Sequence, residues 1–388
     1  MIKNSADWFS RKMQRWLPDA FVIAILLTLV VFMAGMLLQQ QSVQAMANHW
    51  GGGFWKLLSF SMQMLLILVL GSVVATSTPI KVALNRLAGV ARTPSQAVVL
   101  VTLVSLLAAW LNWGFGLIVG ALVAKRIAHQ VKDVDFPLLI ASAYSGMLIW
   151  HSGLSGSIPL KIASSDQDAL SQLMQNQVFD LSQTIFAWQN LLIIALLVIT
   201  LPILNWLMMP NITQRKPLIL AKDETLEVVQ DVLSSRQTHS MTPAERLEQS
   251  PIINALLVIL GSAYLINYFY MGGGINLNLI NLCLLLAGLL LHRTPSRFLK
   301  AVNLSIASSS GIIIQFPIYA GIMGMMVGSG LAASLSEWFI SIADSQSFPL
   351  LTFISAGIVN FFCSFWRWSM GCSSADCDPH CNRVRGSH

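Results

Sequence analysis

The sequence predicts an all-α membrane protein that crosses the bilayer several times. Of its 388 residues, 55% are hydrophobic and only 10% are charged, whereas about a quarter of the residues are charged in a typical soluble domain. So few polar side chains cannot cover a water-facing surface of this size, and lipid must therefore solvate much of the protein. The apolar residues are also grouped into runs of about 20, the length at which an α-helix spans a bilayer.

Seven apolar runs are long enough to form spanning helices. They are 20–39, 56–77, 137–158, 188–208, 251–269, 275–292 and 301–328. Two shorter runs, 97–111 and 117–124, flank the sequence Asn112–Gly116. A helix over 97–111 would rise about 22 Å, which is short of the roughly 30 Å hydrocarbon core. We therefore expect 97–124 to form a re-entrant hairpin with Asn112–Gly116 at its tip.

The distribution of basic residues predicts the orientation of the spans. Basic residues precede the first span, which places the N-terminus in the cytoplasm, and the outer loop 40–55 contains no Lys or Arg. The segments 78–95 and 125–136 are both basic and should both be cytoplasmic. The first apolar run is too long for a signal peptide, so it should be a retained span. The net charge of +6 therefore reflects membrane topology, and we expect no nucleic-acid partner.

Two stretches of similar spacing predict an internal repeat. Phe54 is followed by Asn112 after 58 residues, and Phe298 is followed by Asn360 after 62 residues. Each stretch contains a spanning run, a polar connector and a short apolar run that ends in Asn. Because the predicted orientation reverses between the two stretches, we expect an inverted-topology repeat, the architecture of many secondary transporters.

This repeat predicts four regions along the chain. They are 1–208, the first transmembrane half with the hairpin 97–124; 209–250, a cytoplasmic loop; 251–362, an incomplete second transmembrane half; and 363–388, an aberrant tail. Within the loop, Thr242 and Glu245 have the spacing of a helix capping box.

The hairpin tip is the strongest candidate for a binding site. Asn112 offers two donors and one acceptor, Trp113 and Phe115 alternate with Gly114 and Gly116, and glycine permits positive φ and close approach. The backbone amides at a broken helix can hold a carboxylate. The alternative is a packing turn without a ligand. Asn360 occupies the mirrored position and is the matching candidate.

Further polar residues lie where other spans end or break. Ser77 and Thr78 follow the span of the first repeat, and Gln315 and Tyr319 flank Pro317, which we expect to break the span of the second repeat. Structural kinks would explain these positions equally well. The segment 151–157 ends its span with small residues that line a vestibule or pack against a helix.

No Asp or Glu lies inside any predicted span. This absence disfavours a di-aspartyl membrane protease and a proton pump that uses a buried carboxylate. It favours coupling to Na⁺ held by carbonyls and hydroxyls, or to H⁺ carried with the substrate. No phosphate-binding loop is present, so ATP should not drive the protein, and we expect neither a cofactor nor an enzymatic activity.

Several motifs resemble the short-chain fatty acid transporter family over residues 8–360. They are RWLPD at 15–19, NWGFGLIVGA at 112–121, SGSIPL at 155–160, ERLEQS at 245–250, HRTP at 292–295 and QFPIYAGI at 315–322. The resemblance implies a multi-pass protein of the bacterial inner membrane that carries acetoacetate and butyrate. A carrier of dicarboxylates or other small organic anions, a membrane enzyme and a channel stay open as alternatives, as does a homo-oligomeric state.

The tail 363–388 departs from that family. It contains four of the five cysteines and several charges, where the resemblance implies a Gly-rich apolar segment. Reading its codons one base later forces Gly at 366, Gly at 368 and Trp at 370, which predicts a frameshift and an inactive chain. The alternative is metal binding by Cys372, Cys377, His380 and Cys381, although this spacing fits no common zinc pattern.

Overall fold

The computed structural model is all-α in the part of the chain that it describes. It describes residues 18–163, 178–211, 242–307 and 309–342, together with 8–9, 12–13, 15–16, 215, 347, 350–351 and 353–354. Asn360, the tail 363–388 and most of the loop 209–250 lie outside the described residues. The predicted repeat and the four predicted regions therefore stay predictions.

Fifteen α-helices are present in the described ranges. They are α1 Ala20–Leu38, α2 Val43–Gly53, α3 Leu58–Ala75, α4 Thr78–Ala88, α5 Pro94–Leu111, α6 Trp113–Gln130, α7 Phe136–Ser145, α8 Ser157–Ile162, α9 Trp188–Leu207, α10 Pro243–Glu248, α11 Pro251–Tyr270, α12 Leu277–His292, α13 Pro295–Ala307, α14 Ser310–Gly328 and α15 Leu331–Ile342. Short 3₁₀ helices lie at Gly146–Ser152 and Leu181–Gln183.

Six of these helices are long and apolar enough to cross a membrane: α1, α3, α5, α9, α11 and α14. Their outer faces carry large exposed apolar side chains, such as Ile199 of α9 and Ile259 of α11. Exposure of apolar surfaces of this extent to water is unfavourable, whereas lipid is a suitable solvent for them. The predicted class, an all-α polytopic membrane protein, is confirmed.

Polar side chains fix the starts of several helices. Asp19 accepts a hydrogen bond from the Phe21 amide at 2.8 Å and so caps α1. Thr242 and Glu245 form the predicted capping box at the start of α10. Such caps satisfy amide groups that have no partner within the helix, and each typically contributes about 1 kcal/mol.

Two predicted spans differ in the structure. Run 137–158 is not one helix, because α7 ends at Ser145, a 3₁₀ segment follows, and α8 begins at Ser157. Gly146, Gly153 and Gly156 lower helix propensity in this run. Run 301–328 is also divided, because α13 ends at Ala307 and α14 begins at Ser310, and serine is a weaker helix former than alanine or leucine.

The predicted break at Gln315–Tyr319 is wrong. Helix α14 continues through Pro317 without interruption. Proline removes only the donor that would bond to the Ile313 carbonyl. In the hydrocarbon core of a membrane the remaining backbone groups cannot form hydrogen bonds with water. Their helical hydrogen bonds are therefore retained on both sides of the proline.

The chain packs into two compact units. Of the described residues, those of 66–163, 178–211 and 242–305 form the first unit, and those of 18–65 and 306–342 form the second.

In the second unit, glycines let α2 and α14 approach closely. A Cβ on Gly324 would stand 2.5 Å from the His49 carbonyl oxygen and 2.7 Å from the Gly53 Cα atom. Gly321 lies in the same way beneath the Trp50 ring. Gly324 and Gly328, which both face His49, are four residues apart, the spacing of small residues that is common where helices pack in membranes.

In the first unit, α5 and α6 form an antiparallel hairpin. A Cβ on Gly116 would meet the backbone of Ala109, and one on Gly120 would meet the Ser105 side chain, so contacts run in opposite directions from Asn112. Each helix has 18 residues and a length of about 27 Å. Helix α5 thus starts three residues before the predicted run 97–111. It is longer than the 22 Å from which we predicted a re-entrant hairpin.

Because α5 and α6 are antiparallel, the residues before α5 and after α6 should reach the same side of the membrane, which the charge pattern predicts is the cytoplasm. We expect Val90→Cys and Gln130→Cys in intact cells to resist an impermeant thiol reagent and to react after permeabilisation. Asn48→Cys, in the predicted outer loop, is the control that should react in intact cells. Labelling of only one of the first two cysteines would contradict the hairpin.

Candidate functional site

The hairpin break consists of a single residue, Asn112. It has extended backbone angles, φ −155° and ψ 126°, and is both the C-cap of α5 and the N-cap of α6. The predicted five-residue tip is therefore shorter than expected, because Trp113–Gly116 already form the first turn of α6. Neither Gly114 nor Gly116 has a positive φ, so these glycines are not required by the turn itself.

The glycines at the break serve close packing instead. A Cβ on Gly114 would lie 2.7 Å from the Leu68 Cα atom, and a Cβ on Gly71 would lie 2.6 Å from the Asn112 Oδ1 atom. Real Cβ atoms do not approach this closely. Helix α3 therefore contacts the break backbone to backbone, and the site is enclosed on that side by α3.

The oxygen and the nitrogen of the Asn112 side-chain amide have different environments. Its Oδ1 atom accepts a hydrogen bond from the Phe115 amide at 2.8 Å, which caps α6. This bond fixes which end of the amide carries oxygen. The Nδ2 atom then points elsewhere, and it is buried without a hydrogen-bond partner in a side chain that is only 4% exposed.

A buried donor without a partner costs about 1–3 kcal/mol. Native proteins rarely retain such a group without a reason, and a ligand that supplies the missing acceptor is one of those reasons. The Asn112 Nδ2 group is therefore the chemical feature of the break that can bind a substrate oxygen.

The backbone amides of the α6 N-terminus are less available than the sequence indicated. The Trp113 amide donates to the Ser155 hydroxyl at 2.9 Å. The Phe115 amide is bound to Asn112, as described above. Two amides of the first turn are thus already occupied, and the side-chain nitrogen of Asn112 is one of the donors left for a ligand.

Ser77 is buried at the start of α4, but its hydroxyl donates to the Val74 carbonyl in the last turn of α3 at 2.7 Å, and Thr78 is exposed. The last turns of α3 also receive polar contacts from later helices. The Ser305 hydroxyl donates to the Ser72 hydroxyl at 2.9 Å, and the His292 Nε2 atom lies 2.8 Å from the Val73 carbonyl oxygen. No local sequence signal indicated Ser305, and His292 appeared only as the first residue of the HRTP motif.

The candidates in α14 belong to the second unit. Gln315 is 2% exposed, and its Nε2 atom is buried without a hydrogen-bond partner. Tyr319 lies one turn further along, where its ring contacts that of Phe316 at a centroid distance of 6.3 Å. Gln315 is thus a second buried amide with an unused donor, as the first unit has in Asn112.

The cations that cluster on α4 and at the end of α6 lie far from the break. Burial, and secondarily Arg126, lower the pKa of Lys81, and burial followed by Lys125 and Arg126 lowers the pKa of His129. Along α6, Lys125 is 13 residues from Asn112, a distance of about 20 Å. These cations therefore do not bind a ligand at the break.

The fold and this site define a class, that of multi-pass helical membrane proteins with a helical hairpin broken at a buried amide. The chain belongs to the short chain fatty acid transporter family, whose sequence profile matches residues 1–368.

Two relatives are both named "Putative short-chain fatty acid transporter". The one from Escherichia coli K12 is 39% identical over 362 residues, covering 93% of this chain and 81% of the relative. The one from Haemophilus influenzae Rd is 38% identical over 370 residues, with the same two coverages. No solved structure matches the chain.

Proposed function

We propose that this protein is a secondary carrier of short-chain monocarboxylates, such as acetoacetate and butyrate, across the bacterial inner membrane. In this proposal the Asn112 amide nitrogen donates a hydrogen bond to the substrate carboxylate. The observation that carries the proposal is the buried Nδ2 group, which has no partner within the protein.

The chemistry of the break favours a monoanion. Its donor is a neutral amide, and the nearest basic side chains of α6 begin about 20 Å away. A dicarboxylate would bring a second negative charge that no cation in the first turns of α6 can pair, and burial of an unpaired charge is costly. A short alkyl chain would instead gain about 0.8 kcal/mol for each methylene that it buries.

The spanning helices also constrain energy coupling. None of the helices α1, α3, α5, α9, α11 and α14 contains Asp or Glu. A proton relay through a buried carboxylate in these helices is therefore not part of the proposal. We propose that either Na⁺, bound by hydroxyl and carbonyl oxygens, or H⁺, carried with the acid, is the coupling ion.

Uptake of radiolabelled butyrate into proteoliposomes, with the Na⁺ gradient and the pH gradient imposed separately, tests the proposal. We expect saturable, gradient-driven uptake that unlabelled acetoacetate inhibits and succinate does not. Inhibition by succinate would favour a dicarboxylate carrier, and uptake that does not saturate would favour a channel.

The same assay tests the predicted frameshift. The 388-residue chain is compared with a form whose residues from 363 onward follow the shifted reading frame. We expect uptake only by the second form, because charged residues at membrane depth cost about 2.5–3.5 kcal/mol each. Equal uptake by both forms would exclude an effect of the tail.

A further inference from the structure

We infer that Ser155 is a positioning residue for substrate binding, which acts through the Trp113 backbone to hold the Asn112 amide in place. This inference rests on the proposed role of Asn112. Ser155 is fully buried in the first unit, and its hydroxyl oxygen accepts the hydrogen bond from the Trp113 amide. It is thus bonded to the residue that directly follows the hairpin break.

The segment that contains Ser155 forms hydrogen bonds with residues on both sides of the break. The Leu154 amide donates to the Trp110 carbonyl at 2.8 Å, two residues before Asn112. A Cβ on Gly153 would stand 2.4 Å from the Trp110 carbonyl oxygen, so this segment lies directly against the hairpin backbone. The two hydrogen bonds, from Leu154 and to Ser155, therefore bracket Asn112.

The same segment is anchored on its other side by α9. The Asn190 side-chain nitrogen donates to the Ser152 carbonyl at 3.2 Å and to the Ile185 carbonyl at 2.7 Å. Ser155 is thus part of a connection from α9 to the hairpin break. This connection explains why run 137–158 breaks here, since the Leu154 amide, which would bond within a continuous helix, is bonded to the Trp110 carbonyl instead.

The hydrogen bond between the Trp113 amide and Ser155 determines the orientation of the Asn112 side-chain amide. It holds the first turn of α6, so the Phe115 amide stays in reach of the Asn112 Oδ1 atom. While Oδ1 is committed to that amide, the Nδ2 donors keep one direction. Without the Ser155 hydroxyl, the buried Trp113 amide would compete for the Asn112 oxygen, and the side chain would lose its fixed orientation.

Apparent KM values for butyrate in four full-length proteins test the inference: wild type, Ser155→Ala, Asn112→Ala and the double variant. We expect Ser155→Ala to raise KM by about 3- to 10-fold at an unchanged amount of inserted protein, and Ser155→Thr, which keeps the hydroxyl, to restore it. In the Asn112→Ala background, Ser155→Ala should change KM little, because the group that it positions is gone.

Ser105→Ala is the matched control, because Ser105 is an equally buried serine whose hydroxyl donates to the Ala143 carbonyl, about two turns of α5 before the break. Its KM should equal that of the wild type. If an Asn112 variant transports too slowly for kinetics, half-protection of a Leu111→Cys thiol by butyrate supplies the binding constant. Leu111 is next to the break and 51% exposed.

The possible outcomes separate the two proposals. If Asn112→Ala leaves KM and uptake unchanged, the substrate site is wrong, and the role of Ser155 is wrong with it. If Asn112→Ala raises KM but the two effects multiply in the double variant, Ser155 acts independently of Asn112, and only the positioning role is overturned. A fall in the amount of inserted Ser155→Ala protein with an unchanged KM would also overturn it.

Discussion

Asn112→Asp is expected to lower butyrate uptake at pH 8 by about 10- to 100-fold, since a hydrogen bond to a charged group contributes about 1.5–3 kcal/mol. Asp retains an oxygen that can cap α6, so the helix should still begin at residue 113. It replaces the amide donor with a second oxygen and adds a charge that repels a carboxylate. The measurement is initial uptake divided by the amount of inserted protein.

A pH series distinguishes lost donation from a damaged fold. Burial raises the pKa of a carboxyl group, and the protonated form regains an O–H donor. Uptake by Asn112→Asp, relative to wild type at the same pH, should therefore recover partly as pH falls. Asn48→Asp, the same change at an exposed position on α2, should stay within about 2-fold of wild type. Wild-type uptake by Asn112→Asp at pH 8 would refute the site.

Gly116→Ala is expected to destabilise the hairpin by about 1–3 kcal/mol, as overpacking of a close interface does. A Cβ at this position would lie 2.4 Å from both the Cα and the N atom of Ala109. These are backbone atoms of the facing helix, so no change of rotamer relieves the clash and α5 must move away from α6. The thermal unfolding midpoint of the purified protein in detergent should fall, together with uptake.

Gly51→Ala is the matched control for this substitution. Gly51 also lies inside a helix, but a Cβ there would have no atom within 4 Å. Alanine is a better helix former than glycine by about 0.8–1.0 kcal/mol, so Gly51→Ala should leave the midpoint unchanged or raise it. Equal midpoints for the two variants would mean that the contact of Gly116 with Ala109 does not limit stability.

The sequence alone determined the class of protein and the position of the break. Composition and run length predicted the membrane class because spanning a bilayer requires about 20 apolar residues in any fold. The break at Asn112 was also predictable, since Asn caps helices through its own side chain and needs no distant partner. The capping box at Thr242 follows from the same local chemistry.

Local patterns failed where distant contacts decide the backbone. Pro317 predicted a break that α14 does not have, and the apolar run 137–158 predicted one helix where the chain has two and a 3₁₀ segment. In the first case the membrane environment preserves the helix. In the second, contacts with Trp110 and Trp113, some 40 residues earlier, outweigh the apolar pattern.

Only the tertiary structure decided how Asn112 is used. Its oxygen is bound to Phe115 while its nitrogen is left without a partner, and this division cannot be read from the residue type. The neighbours that enforce it are Gly71, about 40 residues before the break, and Ser155, about 40 residues after it. A buried polar group can bind a ligand only when no neighbouring residue forms a hydrogen bond with it. Whether that is so depends on the packing of the whole unit.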